Sequence, residues 1–344
     1  MFMRDAKQPE ITSREGGFTL IEVLLGMAIL SMLVVLLLSA TNQASSTVKR
    51  ATSAIEAFAA ARAAQDLISQ RLSQATLNTY WDYYDASGNL RTSNNTTTFL
   101  PAAFGRASDL QFVVNQNKDS NITTPAGQEI YFQTPEAFSG NTNYQSIQGL
   151  LNSCGYFVRY GSDATFRPTI LSTPLRWRYR LMQSIEPTEN FSVYTNAGAS
   201  QTWTTNLSSN TNYMHPIADN IIAMIVWPRL SPNEDPTGTN LTLNYTYDSK
   251  NYTGTNYTTN TANQLPPTVQ ITFIAIDEPS AVRMDTLSST PPAIITTALN
   301  GKFTNVTNYQ SDLDSVMATL TASRINARVM NASVVLRESK WSSQ

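Results

Sequence analysis

Phe18–Leu38 reads FTLIEVLLGMAILSMLVVLLL, and Glu22 is the only charged residue in it. As a helix rising about 1.5 Å per residue, the run covers roughly 31 Å, about the thickness of a bilayer's hydrocarbon core. Three readings compete for it. A secretory signal peptide has an apolar core of about 7–15 residues and ends at small residues. Ser39-Ala40 meets the second condition loosely, but the run is too long and carries a carboxylate. A plain membrane anchor accounts for the length and leaves Glu22 without a purpose, because an unpaired charge in hydrocarbon is costly. The third reading is an apolar helix whose carboxylate is there to meet a partner. Upstream, Met1–Gly17 reads MFMRDAKQPEITSREGG, which is short, charged and without an apolar stretch.

Arg14-Glu15-Gly16-Gly17-Phe18-Thr19-Leu20-Ile21-Glu22 resembles the signal of type IV prepilins and type II secretion pseudopilins. In that family a membrane-embedded peptidase cuts after the glycine and usually N-methylates the new terminal residue. The resemblance implies a cleaved leader over 1–17, cleavage between Gly17 and Phe18, N-methylation of Phe18, and Glu22 as the fifth residue of the mature chain. Cleavage creates an ammonium on Phe18, one helical turn from Glu22. Opposite charges in a low dielectric are tolerable when paired and costly when apart. The family's account pairs the carboxylate with the terminus of the neighbouring subunit, which sets axial register; a buried ion pair is better supported as a register device than as a stabiliser. Glu22 also suits a helix N-terminus through the macrodipole. Gly17 lets the peptidase approach the backbone closely. Gly26, inside the helix, costs about 1 kcal/mol relative to Ala; it marks a packing contact, a point of loosening, or a small residue of the kind membrane helices tolerate.

No proline interrupts Phe18 to Asp85. Beyond the apolar half, 18–38, residues 39–79 continue as an Ala-, Gln- and Arg-rich amphipathic helix. Val48, Ile55, Phe58, Ile68, Leu72 and Ala75 fall at near-helical spacing, with a gap around Arg62 and Gln65. The expected helix runs from about Phe18 to about Asn78; a coiled coil is disfavoured because no heptad is sustained. From 80 to 344 the pattern changes to short β-type runs between turn-rich segments. Strands are expected at Asp109–Val114, Glu129–Gln133, Gly155–Tyr160, Arg176–Met182, Ile221–Trp227, Leu241–Tyr247, Val269–Ile276 and Ile325–Leu336. The expected fold class is α+β: a long N-terminal transmembrane-plus-amphipathic helix packed on an antiparallel sheet head, the pilin-like arrangement that the resemblance implies.

Arg176–Met182, RWRYRLM, alternates strictly and predicts a half-exposed strand, with Arg176, Arg178 and Arg180 on a solvated face; a basic functional stripe is the rival reading. Ser311-Asp312-Leu313-Asp314 predicts a helix start, with Asp312 and Asp314 explained by capping. The stretch 233–264 is low-complexity, with Asn-Tyr-Thr at 244–246, 251–253 and 256–258, and is expected to be a long exposed loop; an adhesive Tyr/Thr surface is the alternative. Sequons at Asn121, Asn206 and Asn240 follow from an Asn/Thr-rich composition. Pro266-Pro267 and the TVQITFIAID that follows predict a turn feeding a central strand. LPPTVQITFIAID (265–277) resembles the late strand of large W-type minor pilins and J-type pseudopilins. NIIAMIVWPRLS, AIDEPSA and LRESKWS resemble segments of the Verru_Chthon cassette protein C group.

Nothing else points to chemistry. Charged residues are 14% of the chain and the net charge is −2, so there is no basic footprint for nucleic acid. Cys154 is the only cysteine and His215 the only histidine, too few for a zinc site; they are expected as a buried core residue and a loop or strand-edge residue. Glu234-Asp235, between prolines, reads as a solvated turn and Asp277-Glu278 as a strand-end turn, with Ca²⁺ binding the rival for the second pair. No phosphate loop, metal spacing or nucleophile elbow is present in the sequence. The chain is therefore expected to be no enzyme and to need no cofactor or metal. The resemblance implies a minor pilin or pseudopilin of a type IV pilus or type II secretion-like filament. It would be an inner-membrane, single-pass protein with a cytoplasmic N-terminus and an extracytoplasmic head, joined to a periplasmic or surface filament. Its partners would be prepilin peptidase, other pilin or pseudopilin subunits and the inner-membrane assembly platform. The alternative is a filament-tip adhesin or substrate-recruiting protein on the same anchor.

Overall fold

The computed structural model describes residues 17, 19–92, 95–116, 128–168, 170, 172–194, 202–250, 261–285 and 288–341. The fold is α+β, and the chain divides into two units, Met1–Thr52 and Ser53–Gln344. Helix α1, Leu20–Leu72, runs through the end of the first into the second. In the first unit every side chain from Thr19 to Lys49 is exposed, the leucines included.

In the second unit α1 buries Ala61, Ala64, Gln65, Ile68 and Leu72, a single face at i, i+3 and i+4 spacing. The gap read around Arg62 and Gln65 is thus filled by two alanines and a glutamine, while Ile55 stays exposed. Small side chains let the helix sit close to the sheet, near enough for Gln65 Nε2 to donate to the Ile271 carbonyl (3.2 Å). Arg71 donates to the Tyr156 hydroxyl (3.3 Å) and pairs with Glu136 (3.0 Å), and Arg328 lies over the Phe58 ring. The helix ends at Leu72, short of Asn78, because tight turns follow and the Thr76 amide donates to the Gln133 carbonyl.

The strands are β1 (Tyr80–Tyr84), β2 (Ala103–Ala107), β3 (Val113–Gln116), β4 (Gln128–Thr134), β5 (Asn152–Ser162), β6 (Trp177–Glu186), β7 (Met214–Asp219), β8 (Ile221–Arg229), β9 (Tyr247–Asp248), β10 (Thr268–Ile276) and β11 (Ala327–Val335). Helices α2 (Thr202–Ser209), α3 (Glu278–Met284), α4 (Ala293–Leu299) and α5 (Tyr309–Ala322) lie between them. Strands β1 and β2 pair alone; β7-β6-β5-β4-β3-β9 and β11-β10-β8 form two larger sheets, and every strand pairing among the described residues is antiparallel. Strand β8 packs across β4, β5 and β6, so the core lies between the two larger sheets. That explains why β8 and β10 are largely apolar runs buried on both faces, and why even the polar residues of β4, Gln128, Glu129, Gln133 and Thr134, are buried. Gly155 is needed in β5, since a Cβ there would stand 2.6 Å from the Tyr131 ring.

Several expectations are corrected. Arg178 and Arg180 are only 4% and 6% exposed, so their face of β6 is not solvated. Arg178 reaches Glu278 (3.1 Å) and Asp285 (3.0 Å), and Arg180 reaches Asp219 (2.9 Å); paired charges can be buried where lone ones cannot. Of the strand expected at Leu241–Tyr247 only Tyr247 is extended, as the first residue of β9. Asn244 Oδ1 accepts from the Thr246 amide and hydroxyl, and Tyr245 has φ of 63°, which breaks extended backbone. At 109–112 the strand is delayed to Val113, because Asn78 and Gln133 side chains accept the amides of Asp109, Leu110 and Gln111. Helix α5 starts at Tyr309, ahead of Ser311; Asp312 accepts from the Phe303 amide and pairs with Lys302, so it ties helix to loop and does not cap. Within 233–264, residues 251–260, and with them two of the Asn-Tyr-Thr triplets, lie outside the described residues. Tyr245, Tyr247, Ser249 and Asn263 are buried and do not belong to an exposed loop.

Candidate functional site

Thr19-Leu20-Ile21-Glu22 opens α1 with a side chain–backbone exchange. The Thr19 amide and hydroxyl both donate to Glu22 Oε2, at 2.9 and 3.0 Å, and the Glu22 amide donates to the Thr19 hydroxyl at 3.4 Å. This is a capping box, in which Ser/Thr and a Glu three residues on satisfy each other's orphan amides at a helix start. The first intrahelical bond follows from the Val23 amide to the Thr19 carbonyl. Glu22 is therefore fixed at the mouth of the helix, exposed and ahead of the leucine run. Gly17 is exposed, and a Cβ there would meet nothing within 4 Å. Phe18, the residue expected to carry the new ammonium and the methyl group, and residues 1–16, expected as part of a leader, lie outside the described residues. Past Glu22 the helix is long and apolar enough to cross a membrane.

The other residues singled out in the sequence are scattered. Cys154 is buried in β5, and its thiol is pushed well above the ordinary range, mainly by desolvation. His215 is exposed on β7, an edge strand. Asp235 is buried and organises its own turn, accepting from the Thr237 hydroxyl and the Gly238 and Asn240 amides, while Glu234 faces solvent. Asp277 caps α3 by accepting from the Ser280 amide at 3.0 Å, and Glu278 turns away to Arg178 and to Asn220 Nδ2 (2.7 Å). Asp314 accepts from Gln310 one turn back. Among the described residues no three His, Cys, Asp or Glu side chains are placed to share a metal ion.

One surface escaped the sequence reading. Trp81, Tyr83 and Phe104 are each more than half exposed and share one face of the β1–β2 sheet. Trp81 and Phe104 stack with centroids 5.5 Å apart, and Tyr83 lies 5.0 Å from Phe104. The opposite face buries Tyr84 and Ala107. Exposed aromatic patches of this kind mark interaction surfaces. The signal was YWDYY (80–84) itself, whose aromatic residues are too many for one buried face.

Residues 12–38 match the family model described as the prokaryotic N-terminal methylation motif. No curated protein and no solved structure matches the chain. The matched segment ends at Leu38, so it covers the capping box and the apolar run and none of the head. It is the prepilin-type signal, the mark of type IV pilin-like and pseudopilin substrates of prepilin peptidase.

Proposed function

We propose that this chain is a minor pilin or pseudopilin, cut by prepilin peptidase between Gly17 and Phe18, N-methylated on Phe18 and stored in the inner membrane by its apolar helix. From there the assembly platform draws it into a filament with other subunits. The observation that carries the reading is the Glu22 carboxylate held at the start of a helix whose leucines from Leu20 to Leu38 are all exposed, inside the segment that matches the methylation motif. On cleavage an ammonium forms beside that carboxylate, and a carboxylate released from Thr19 can pair with the ammonium of a neighbouring subunit. The large head supports a tip or low-abundance position, where lateral crowding is least. The resemblance of 265–277 supports the W-type or J-type group, and that of 220–231 and 275–281 the Verru_Chthon cassette protein C group.

The test is the mass and N-terminal sequence of protein extracted from the membranes of cells with an active prepilin peptidase, alongside Glu22→Ala. The expected wild-type chain begins at methylated Phe18, and Glu22→Ala is processed but lost from the filament fraction. A chain beginning after Ala40, or an intact Met1, defeats the reading.

A second reading, a tip adhesin or substrate-recruiting subunit, is supported by the exposed Trp81–Phe104–Tyr83 face. Trp81→Ala with Phe104→Ala should leave filament incorporation unchanged and reduce binding to cells or secreted substrate several-fold. Loss of incorporation would assign the face to contact between subunits instead.

A further inference from the structure

At one end of the six-stranded sheet, where β5 passes into β6, a cavity of about 290 Å³ opens against Phe166, Arg176, Arg178, Arg180, Asp219 and Glu278. We propose that it binds an acidic sugar: one hexuronate residue of a polysaccharide. The arginines of β6 form its floor and are already committed. Arg178 is clamped between Glu278 and Asp285, and Arg180 pairs with Asp219 Oδ1 while donating to the Gly161 carbonyl at 2.7 Å. Such a floor is preorganised, because its side chains lose no further freedom when a ligand arrives.

Three groups at the rim remain available. The Arg176 side chain is 68% exposed, and its nearest carboxylate, on Glu278, is 4.0 Å away, beyond hydrogen-bond reach. The Asp219 side chain is 59% exposed and offers its second carboxylate oxygen, the first being taken by Arg180. The Phe166 ring is part-exposed beside them. A guanidinium fork matches a carboxylate in a bidentate way, a carboxylate oxygen accepts from hydroxyls, and an aromatic ring covers an apolar C–H face. A hexuronate carries all three features on one ring. Four arginines of the lining face three carboxylates, with Asp285 behind Arg178 as a fourth, so the cluster is charge-balanced and the preference for an anion rests on the exposed Arg176 guanidinium. The volume lies at the small end of ligand pockets, roughly 300–1,000 Å³, so it admits a sugar unit and excludes a protein element. Buried ion pairs are weak contributors to stability, so stability alone is a poor explanation for so many charges at one spot.

The cavity lies wholly within Ser53–Gln344, and its test reads binding, so it stands or falls apart from the processing of the N-terminus. The full chain in detergent micelles is titrated calorimetrically with trigalacturonate and with neutral cellotriose. Saturable binding of trigalacturonate is expected, with cellotriose weaker by about tenfold or more, the worth of one charge-assisted pair. Arg176→Gln should abolish that preference, and Phe166→Ala should weaken both sugars, with thermal unfolding unchanged because both side chains sit at the rim. No saturable binding of trigalacturonate by the wild-type chain at millimolar concentration, or equal binding by the two variants, overturns the proposal. A carboxyl-terminated tripeptide that binds in preference to trigalacturonate overturns it too.

Discussion

The stretch Leu20–Leu38 and strand β6 break the usual sorting of side chains in opposite directions: the first exposes leucines and the second buries arginines. Burial follows the supply of partners more than the class of side chain. Arg178 and Arg180 find their carboxylates inside the head, on Asp219, Glu278 and Asp285. The leucines between Leu20 and Leu38 find no cover among the described residues. Covering apolar surface is worth about 25 cal/mol per Å², and here that free energy is left for lipid or for other helices. The same helix makes the point within itself, because its later turns bury alanines while its early turns expose leucines.

Four substitutions test the contrast. Arg178→Met should cost the most, about 3–5 kcal/mol in denaturant unfolding of the head, because it leaves Glu278 and Asp285 without their cation. A loss below about 1 kcal/mol would mean that pairing is not what lets β6 bury its arginines. Leu72→Ala should cost about 2–5 kcal/mol by opening a cavity, whereas Leu33→Ala should move the head's unfolding by no more than about 0.5 kcal/mol. Equal effects would erase the difference between the two parts of α1. The smallest effect is expected at Glu186, which ends β6 held by the Ser192 amide. Desolvation raises its carboxyl above the ordinary value, against the hydrogen bonds from Ser192. A raised carboxyl contributes stability that is present below the unfolded pKa and lost as pH rises through the folded one. Glu186→Gln should therefore be slightly more stable than wild type at neutral pH, and the gain should vanish on acidification below the carboxylate range. A pH series of unfolding midpoints checks the sign.

What was legible in the sequence was local. Thr19 and Glu22 lie within one helical turn, and the leucine run after them needs no tertiary information to be read as helix. The long apolar strands β8 and β10 were equally plain. The arginines of β6 were misread because their partners lie far along the chain, Asp219 for Arg180 and Glu278 and Asp285 for Arg178, and alternation alone cannot tell a solvated charge from a paired one. The buried face of α1 was read with a gap because alanine carries little hydrophobic signal and yet permits the closest approach. Helices α3 and α4 are too short to show a period, although Asp277 followed by Glu278 and Pro279 is a helix-start signature that was there to be read. The β1–β2 aromatic face was missed because a strand exposing rings on one side and burying Tyr84 on the other does not alternate by polarity.

The single cysteine has a use of its own. Cys154 sits in the middle of the six-stranded sheet, opposite Phe132 on one side and Ile185 on the other. Its thiol is sealed from solvent and, with its pKa raised, holds almost no reactive thiolate. A thiol reagent therefore reaches it only when β4, β5 and β6 come apart. The chain carries a built-in clock: the rate of labelling at this one sulfur counts openings of the head, and can be timed in the membrane-extracted chain without adding a probe.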